Sequence, residues 1–324
     1  MDLSLFRTMS LIFILCAGMK TFSADNEQKV NPSFHPFKSA KAKEQYLAFN
    51  DLLSKKWPVA GENKMVETSF GQTFIRISGP SGAAPLVLLP GGGANSLMWR
   101  SNVALLSEHF RVYALDNIYD YGLSIYKKQV KSSDDFSDWL NELFTTLHLG
   151  DSVNVMGMSY GGWITSQFAI RYPNRINKIV LIAPAATVLP IKVTFITHAL
   201  LTSVHPHFNK TFFNMIFNDL VNKDESGKKR VEEILVEDNL CRKSFVPTKF
   251  VLPTVITDEQ LKNFKLPTMF LVGENEKLYS AKKAIKRMEK FVPHIKTVLI
   301  AGTGHDIAVT KANIVDSLVI DFLK

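Results

Sequence analysis

The chain is 324 residues long, with 46% hydrophobic and 21% charged positions. This supplies ample apolar material for a core and excludes wholesale disorder and collagen-like or coiled-coil classes, leaving one large domain or two smaller ones. Thirty-eight Lys and Arg against 30 Asp and Glu give a net charge of +8. The basic residues are scattered, and the densest run, Lys228-Lys229-Arg230, sits among Asp224, Glu225, Glu232 and Glu233. Without a basic stripe, interleaved aromatics or a recognisable module, no nucleic-acid partner is expected.

The first apolar run, Leu11 to Met19, is shorter than the roughly 20 residues a bilayer span needs, so no transmembrane helix is expected. Its length suits the apolar region of a secretory signal, with Arg7 before it and the small-x-small site Thr21-Phe22-Ser23 after it. Residues 1–24 therefore read as a cleaved export signal and the protein as periplasmic or secreted; without that signal it would be cytoplasmic. The cysteines are Cys16, which leaves with the signal, and Cys241, so no disulfide framework is expected.

Residues 25–63 are polar and broken by prolines, and within them Ala40 to Lys56 carries Tyr46, Phe49, Leu52 and Leu53 at helical spacing. This predicts a lead-in helix packed on the body. From Thr73 onward, strands are expected at 73–78, 86–89, 111–115, 153–156, 178–182, 268–272 and 297–300. Amphipathic helices are expected between them at 102–109, 134–147, 162–172, 280–291 and 311–323. Runs such as Leu86-Val-Leu-Leu89 are apolar without alternation, the pattern of strands covered on both faces. The β-α-β-α order argues for an α/β doubly wound fold, with a body of 64–186 and 267–324. Residues 187–266 break the rhythm: apolar residues recur helically through Phe195, Leu200, Phe212, Phe213, Ile216 and Leu220, predicting a mainly helical insertion.

Gly157-Met158-Ser159-Tyr160-Gly161 lies directly after the strand at 153–156 and directly before a helical pattern. This is the strand–turn–helix setting that the G-x-S-x-G elbow requires, in which a strained turn lifts the serine hydroxyl above the sheet edge. The helix start behind it presents backbone N–H groups to a developing negative charge. Downstream, the strand at 268–272 runs into Gly273-Glu274-Asn275-Glu276, and the last strand runs into Gly302-Thr303-Gly304-His305. After the strand at 86–89 comes the glycine run Pro90-Gly91-Gly92-Gly93. The remaining histidines lack a motif, and His205-Pro206-His207 has no third ligand nearby, so no metal site is read.

On these motifs residues 65–324 resemble the α/β-hydrolase superfamily, in its serine esterase and lipase-like branches with a helical cap at 187–266. The resemblance implies Ser159 as nucleophile, then the acid and the histidine in that chain order. It places the acid at Glu276, a Glu where family members usually carry Asp, with Glu274 as competitor, and the base at His305. It implies oxyanion donors at the N–H of Tyr160 and at Gly92, with Gly93 as the alternative; Pro90 stands where the family usually has histidine. The loop Asp116 to Ser124 resembles the family's loop after the fourth sheet strand, with Asp120 in place of one glycine, and is expected to shape the site from below. Trp99, Met158 and Tyr160 are either pocket lining or core. The implied activity is hydrolysis of a small-molecule carboxylic ester with an apolar acyl or aryl part, through an acyl-enzyme and without a cofactor. Carbon–carbon bond hydrolysis, perhydrolysis or acyl transfer by the same triad are alternatives, as is a non-catalytic binding protein on this fold.

Overall fold

A computed structural model describes residues 35–202 and 205–324; the export-signal reading of residues 1–24, and Cys16 with it, lies outside the described residues. Among the described residues nine strands form one sheet: β1 (Gly61–Thr68), β2 (Gly71–Ser78), β3 (Pro85–Leu89), β4 (Arg111–Leu115), β5 (Ile125–Tyr126), β6 (Val153–Met158), β7 (Ile176–Ile182), β8 (Thr268–Gly273) and β9 (Lys296–Ile300). The order is β1-β2-β4-β3-β6-β7-β8-β9, with the short β5 beside β2. From β4 through β3 to β9 every pairing is parallel, while β1, β4 and β5 each pair with β2 antiparallel.

Side chains on a strand alternate between faces, so a strand buried on both sides must be apolar throughout. In β3, Val87 and Leu89 enter one core cluster and Leu86 and Leu88 the other. In β8, Phe270 and Val272 likewise oppose Met269 and Leu271. Helices α1 (Ala40–Ser54), α2 (Val103–Ser107), α3 (Ser133–Thr146) and α4 (Tyr160–Arg171) precede the insertion. Within 187–266 lie α5 (Val193–Leu201), α6 (Pro206–Ile216), α7 (Asn218–Val221), α8 (Glu225–Ser244) and α9 (Asp258–Asn263); α10 (Ala281–Phe291), α11 (Ile307–Thr310) and α12 (Ala312–Leu323) follow. One sheet face is covered by α3, α4 and α10 through Trp139, Phe144, Trp163, Phe168 and Met288. The other is covered by α2 and α12 through Val103, Leu106, Val315 and Val319. At about 1.5–3 kcal/mol for each large apolar side chain fully buried, these two layers are the main stabilising element of the body. Trp99 is wholly buried in the second layer, and Met158 joins it there, so both serve as core.

Each strand expected from sequence is present, most with one or two residues added. The expectation began the sheet at Thr73 and did not include β1, whose eight residues bury only Val66 and Thr68. As an edge strand paired on one side, β1 needs no apolar run, and it straddles the expected boundary between the lead-in and the body. The lead-in helix α1 buries Tyr46, Asn50 and Leu53, whereas Leu52 is 57% exposed. Tyr46 packs with Phe37, Cys241 and Phe245, so α1 rests on α8 of the insertion as well as on the body. Cys241 is buried and has no disulfide partner among the described residues.

Candidate active site

The loops after β3, β6, β8 and β9 all leave the C-terminal ends of parallel strands, along the edge of the sheet where ligands of open α/β sheets bind. Between β6 and α4, Ser159 has φ 51° and ψ −115°, a left-handed conformation that is costly for a residue with a Cβ. The fold fixes it from both sides. Its N–H donates to Ile182 O at 2.9 Å, and its carbonyl accepts from Ala185 N–H at 2.9 Å and Trp163 N–H at 3.0 Å. The surrounding glycines let the turn close. A Cβ on Gly161 would come closer than 3.0 Å to the carbonyl oxygens of Leu89 and Pro90, and one on Gly157 would do the same to Gly161 O. Strand β3, the glycine loop and the elbow therefore touch backbone to backbone.

After β8, Glu276 turns inward and Glu274 outward. The Glu276 side chain has no exposure, whereas Glu274 is exposed. Glu276 Oε2 accepts from His305 Nδ1 at 2.9 Å, and Oε1 accepts from Leu278 N–H at 2.8 Å. His305 is itself buried and follows β9, 29 residues on in the chain. With Nδ1 donating to the carboxylate, Nε2 is left as the acceptor nitrogen. Burial pulls the His305 pKa down, but the charge and hydrogen bond of Glu276, with the charge of Asp306, outweigh it and hold the pKa above its ordinary value. Glu274 makes no such contact with the imidazole.

The glycine loop after β3 lies beside the elbow. A Cβ on Gly91 would be 3.6 Å from Ser159 Cβ, and one on Gly92 would be 3.3 Å from Tyr160 Cβ. Gly91 N–H points to Met98 Sδ at 3.2 Å and Gly93 N–H donates to Asp120 Oδ2 at 2.9 Å. Of the three successive N–H groups, the one at Gly92 has no intramolecular acceptor among the described residues. In the same loop as Asp120, Asn117 Nδ2 donates to Pro90 O at 3.4 Å, and Asp116 accepts from Ser96 N–H at 2.8 Å and Leu123 N–H at 2.7 Å.

Contacts from 187–266 were not foreseen from sequence. Leu220 N–H in α7 donates to Asp306 Oδ2 at 2.7 Å, and Asp219 accepts from Asn275 Nδ2 at 3.0 Å, tying α7 to the two loops that carry His305 and Glu276. The segment after α8 is pinned by Tyr160 Oη donating to Val251 O at 2.8 Å. This sets the Phe250 ring 4.8 Å from that of Tyr160, with Phe250 55% exposed. Helical periodicity marks which residues of an insertion are apolar but carries no information on which loops it meets. The grip of Asp120 on Gly93 was also missed; its one signal is an acid where the resembling loop has glycine. Among the described residues no group of three His, Cys, Asp or Glu side chains is arranged to hold a metal, and no helix is long and apolar enough to cross a membrane.

Residues 84–312 match the family model for the alpha/beta hydrolase fold. An uncharacterized carboxylesterase of Bacillus subtilis (strain 168), nap, is 33% identical over 285 residues, covering 86% of this chain and 91% of the relative. Carboxylesterase YbfK of the same strain is 31% identical, covering 86% and 93%. The crystal structure of naproxen esterase from Bacillus subtilis superposes with a TM-score of 0.80 at 29% identity, covering 88% of this chain and 99% of that one. A match over most of the body, with relatives similar along nearly their whole length, is what shared descent and a shared fold produce: the chain belongs to the α/β-hydrolase family.

Proposed function

We propose that this protein hydrolyses carboxylic esters of small molecules through Ser159, His305 and Glu276, with an acyl-enzyme intermediate. The observations that carry the reading are a strained serine at the head of α4 and a buried imidazole whose Nδ1 is held by a buried carboxylate. Similarity to carboxylesterases across nearly the whole chain supports the ester as substrate class.

In this reading His305 Nε2 takes the Ser159 hydroxyl proton as Oγ attacks the ester carbonyl carbon. The carbonyl π electrons move to oxygen, and the oxyanion receives hydrogen bonds from the N–H groups of Gly92 and Tyr160. Collapse breaks the bond to the alkoxy oxygen, which leaves as the alcohol with the proton from His305. Water, deprotonated by the same nitrogen, then releases the acid and restores Ser159. Glu276 stays charged, fixing the tautomer and stabilising the imidazolium. The helices of 187–266, joined to the acid and histidine loops through Asp219 and Leu220, form the cap, and the exposed ring of Phe250 supplies an apolar wall for the substrate.

The test is turnover of a p-nitrophenyl ester series beside labelling by a fluorophosphonate probe. Ser159→Ala and His305→Ala are expected to lose both, leaving about 10³–10⁴-fold residual acceleration over water from the oxyanion site at most. Equal turnover by wild type and Ser159→Ala would refute the serine mechanism.

A further inference from the structure

The run Gly91-Gly92-Gly93 has no side chain to fix its own conformation, yet one of its N–H groups is asked to sit within about 3 Å of a developing oxyanion. Ala94 N–H donates to Gly91 O at 3.1 Å, closing a four-residue turn, and Gly93 at its third position has φ 74°. Positive φ there is the type II form, which differs from type I by a flip of the central peptide between Gly92 and Gly93. With glycine at both central positions the two forms are close in intrinsic energy, so something outside the turn must choose between them.

We propose that Asp120 is a positioning residue that selects this turn and, by taking up the Gly93 N–H, anchors the loop so that the Gly92 N–H is the one held in place to donate to the reacting carbonyl oxygen. Its Oδ2 accepts from Gly93 N–H, the central N–H of the turn, at 2.9 Å. Its Oδ1 accepts from Tyr121 N–H at 2.8 Å, which fixes the carboxylate itself. In the flipped turn the Gly92 carbonyl oxygen would face the carboxylate in place of the N–H, exchanging a charge-assisted hydrogen bond for repulsion. The neighbouring N–H at Gly91 is engaged by Met98 Sδ, so Gly92 is held from both sides and is the member of the run left free to donate. This assigns the donor to Gly92 over Gly93, whose N–H is already committed. The inference rests on the oxyanion role given to Gly92 above. Burial, with added repulsion from Asp116 on its own loop and Asp238 on α8, lifts the Asp120 pKa to about 6, against the opposing hydrogen bonds from Gly93 and Tyr121. The group is therefore charged at neutral pH while Tyr160, Tyr121 and Cys241 face it as neutral groups.

Asp120→Ala and Asp120→Asn test it at pH 8. The Ala variant removes both acceptors and releases the turn, whereas the amide of Asn offers one uncharged acceptor for two N–H groups and weakens the hold. Loss of an oxyanion donor costs about 10²–10³-fold, and a misaimed donor somewhat less. The expected result is a kcat lowered about 10- to 100-fold with KM within about threefold, and a Ki for a trifluoromethyl ketone raised by the factor that kcat/KM falls, because only the tetrahedral adduct carries the oxyanion. A merely structural role would lower the melting temperature without that parallel rise in Ki. Wild-type kcat and Ki in both variants, or a fallen kcat with an unchanged Ki, would overturn the proposal. In protein labelled with ¹⁵N-glycine, the Gly93 amide is expected to be protected from exchange and to lose protection in Asp120→Ala; unchanged exchange also overturns it. That measurement reads the turn without turnover, whereas activity retained in Ser159→Ala would remove the serine mechanism and leave the turn assignment standing.

Discussion

Glu276→Gln changes one atom of the side chain and tests the acid assignment at fixed volume. The carboxylate accepts two hydrogen bonds, from His305 Nδ1 at 2.9 Å and from Leu278 N–H at 2.8 Å. An amide has one acceptor oxygen. Turned with its NH₂ toward Leu278, it opposes a donor with a donor in a site without exposure, at about 1–3 kcal/mol. Turned the other way, its NH₂ meets Nδ1, which must then be unprotonated, and the imidazole proton moves to Nε2, the nitrogen that has to accept from Ser159. Loss of the working tautomer lowers kcat by on the order of 10³–10⁴-fold, or about 4–5.5 kcal/mol of transition-state stabilisation. The pH dependence follows from the same contacts. In the wild type, burial lowers the His305 pKa, but Glu276, aided by Asp306, holds it above 6.5. The acid limb of kcat/KM should therefore lie above that value, and the residual activity of Glu276→Gln should show it at lower pH, with burial opposed by Asp306 alone. For stability, a raised histidine contributes fully below its unfolded pKa of about 6.5 and loses that contribution as pH rises through the folded pKa. Wild type should then exceed Glu276→Gln in urea denaturation by more at pH 6 than at pH 9. The assay is p-nitrophenyl ester turnover from pH 5 to 9 for Glu276→Gln and Glu274→Gln. Loss of activity only in Glu274→Gln would refute the reasoning.

Three further outcomes are expected. Gly161→Ala places a Cβ against the Leu89 and Pro90 carbonyls, backbone that cannot yield cheaply, and should lower unfolding free energy by about 1–3 kcal/mol or prevent folding; a denaturation midpoint equal to wild type would count against the close packing of elbow and glycine loop. Asp316 is buried in α12 with one oxygen on Asn102 Nδ2 at 2.8 Å and the other without a partner among the described residues, and burial raises its pKa to about 7. A raised carboxylate makes the fold lose stability as pH climbs from about 4 to 7, so Asp316→Asn should flatten that dependence and stabilise by about 1–4 kcal/mol at pH 8; an unchanged pH slope would show the charge to be harmless. Phe250→Ala, which removes the exposed ring beside Tyr160, should raise KM for aryl and long-chain esters about three- to tenfold and leave acetate esters little affected, and a uniform change across the panel would exclude a substrate-facing wall.

The strands and the elbow were legible in sequence because their causes are local. A strand covered on both faces has to be apolar at every position, as in Leu86-Val-Leu-Leu89, and a strained serine between a strand and a helix needs glycines on either side. The edge strand β1 escaped for the converse reason: with two buried side chains in eight, it leaves no apolar signature. The choice between Glu274 and Glu276 was open in the sequence, where both are carboxylates on one loop, and depended on which one the turn after β8 buries against His305. The links from α7 to Asp306 and from Asp120 to Gly93 were likewise invisible, since they join residues 86 and 27 positions apart. Periodicity and motif spacing report what each segment demands of its own surroundings. Which distant N–H meets which carboxylate is decided only when the sheet has set the loop ends side by side, because hydrogen bonds between loops depend on distances that no local pattern encodes.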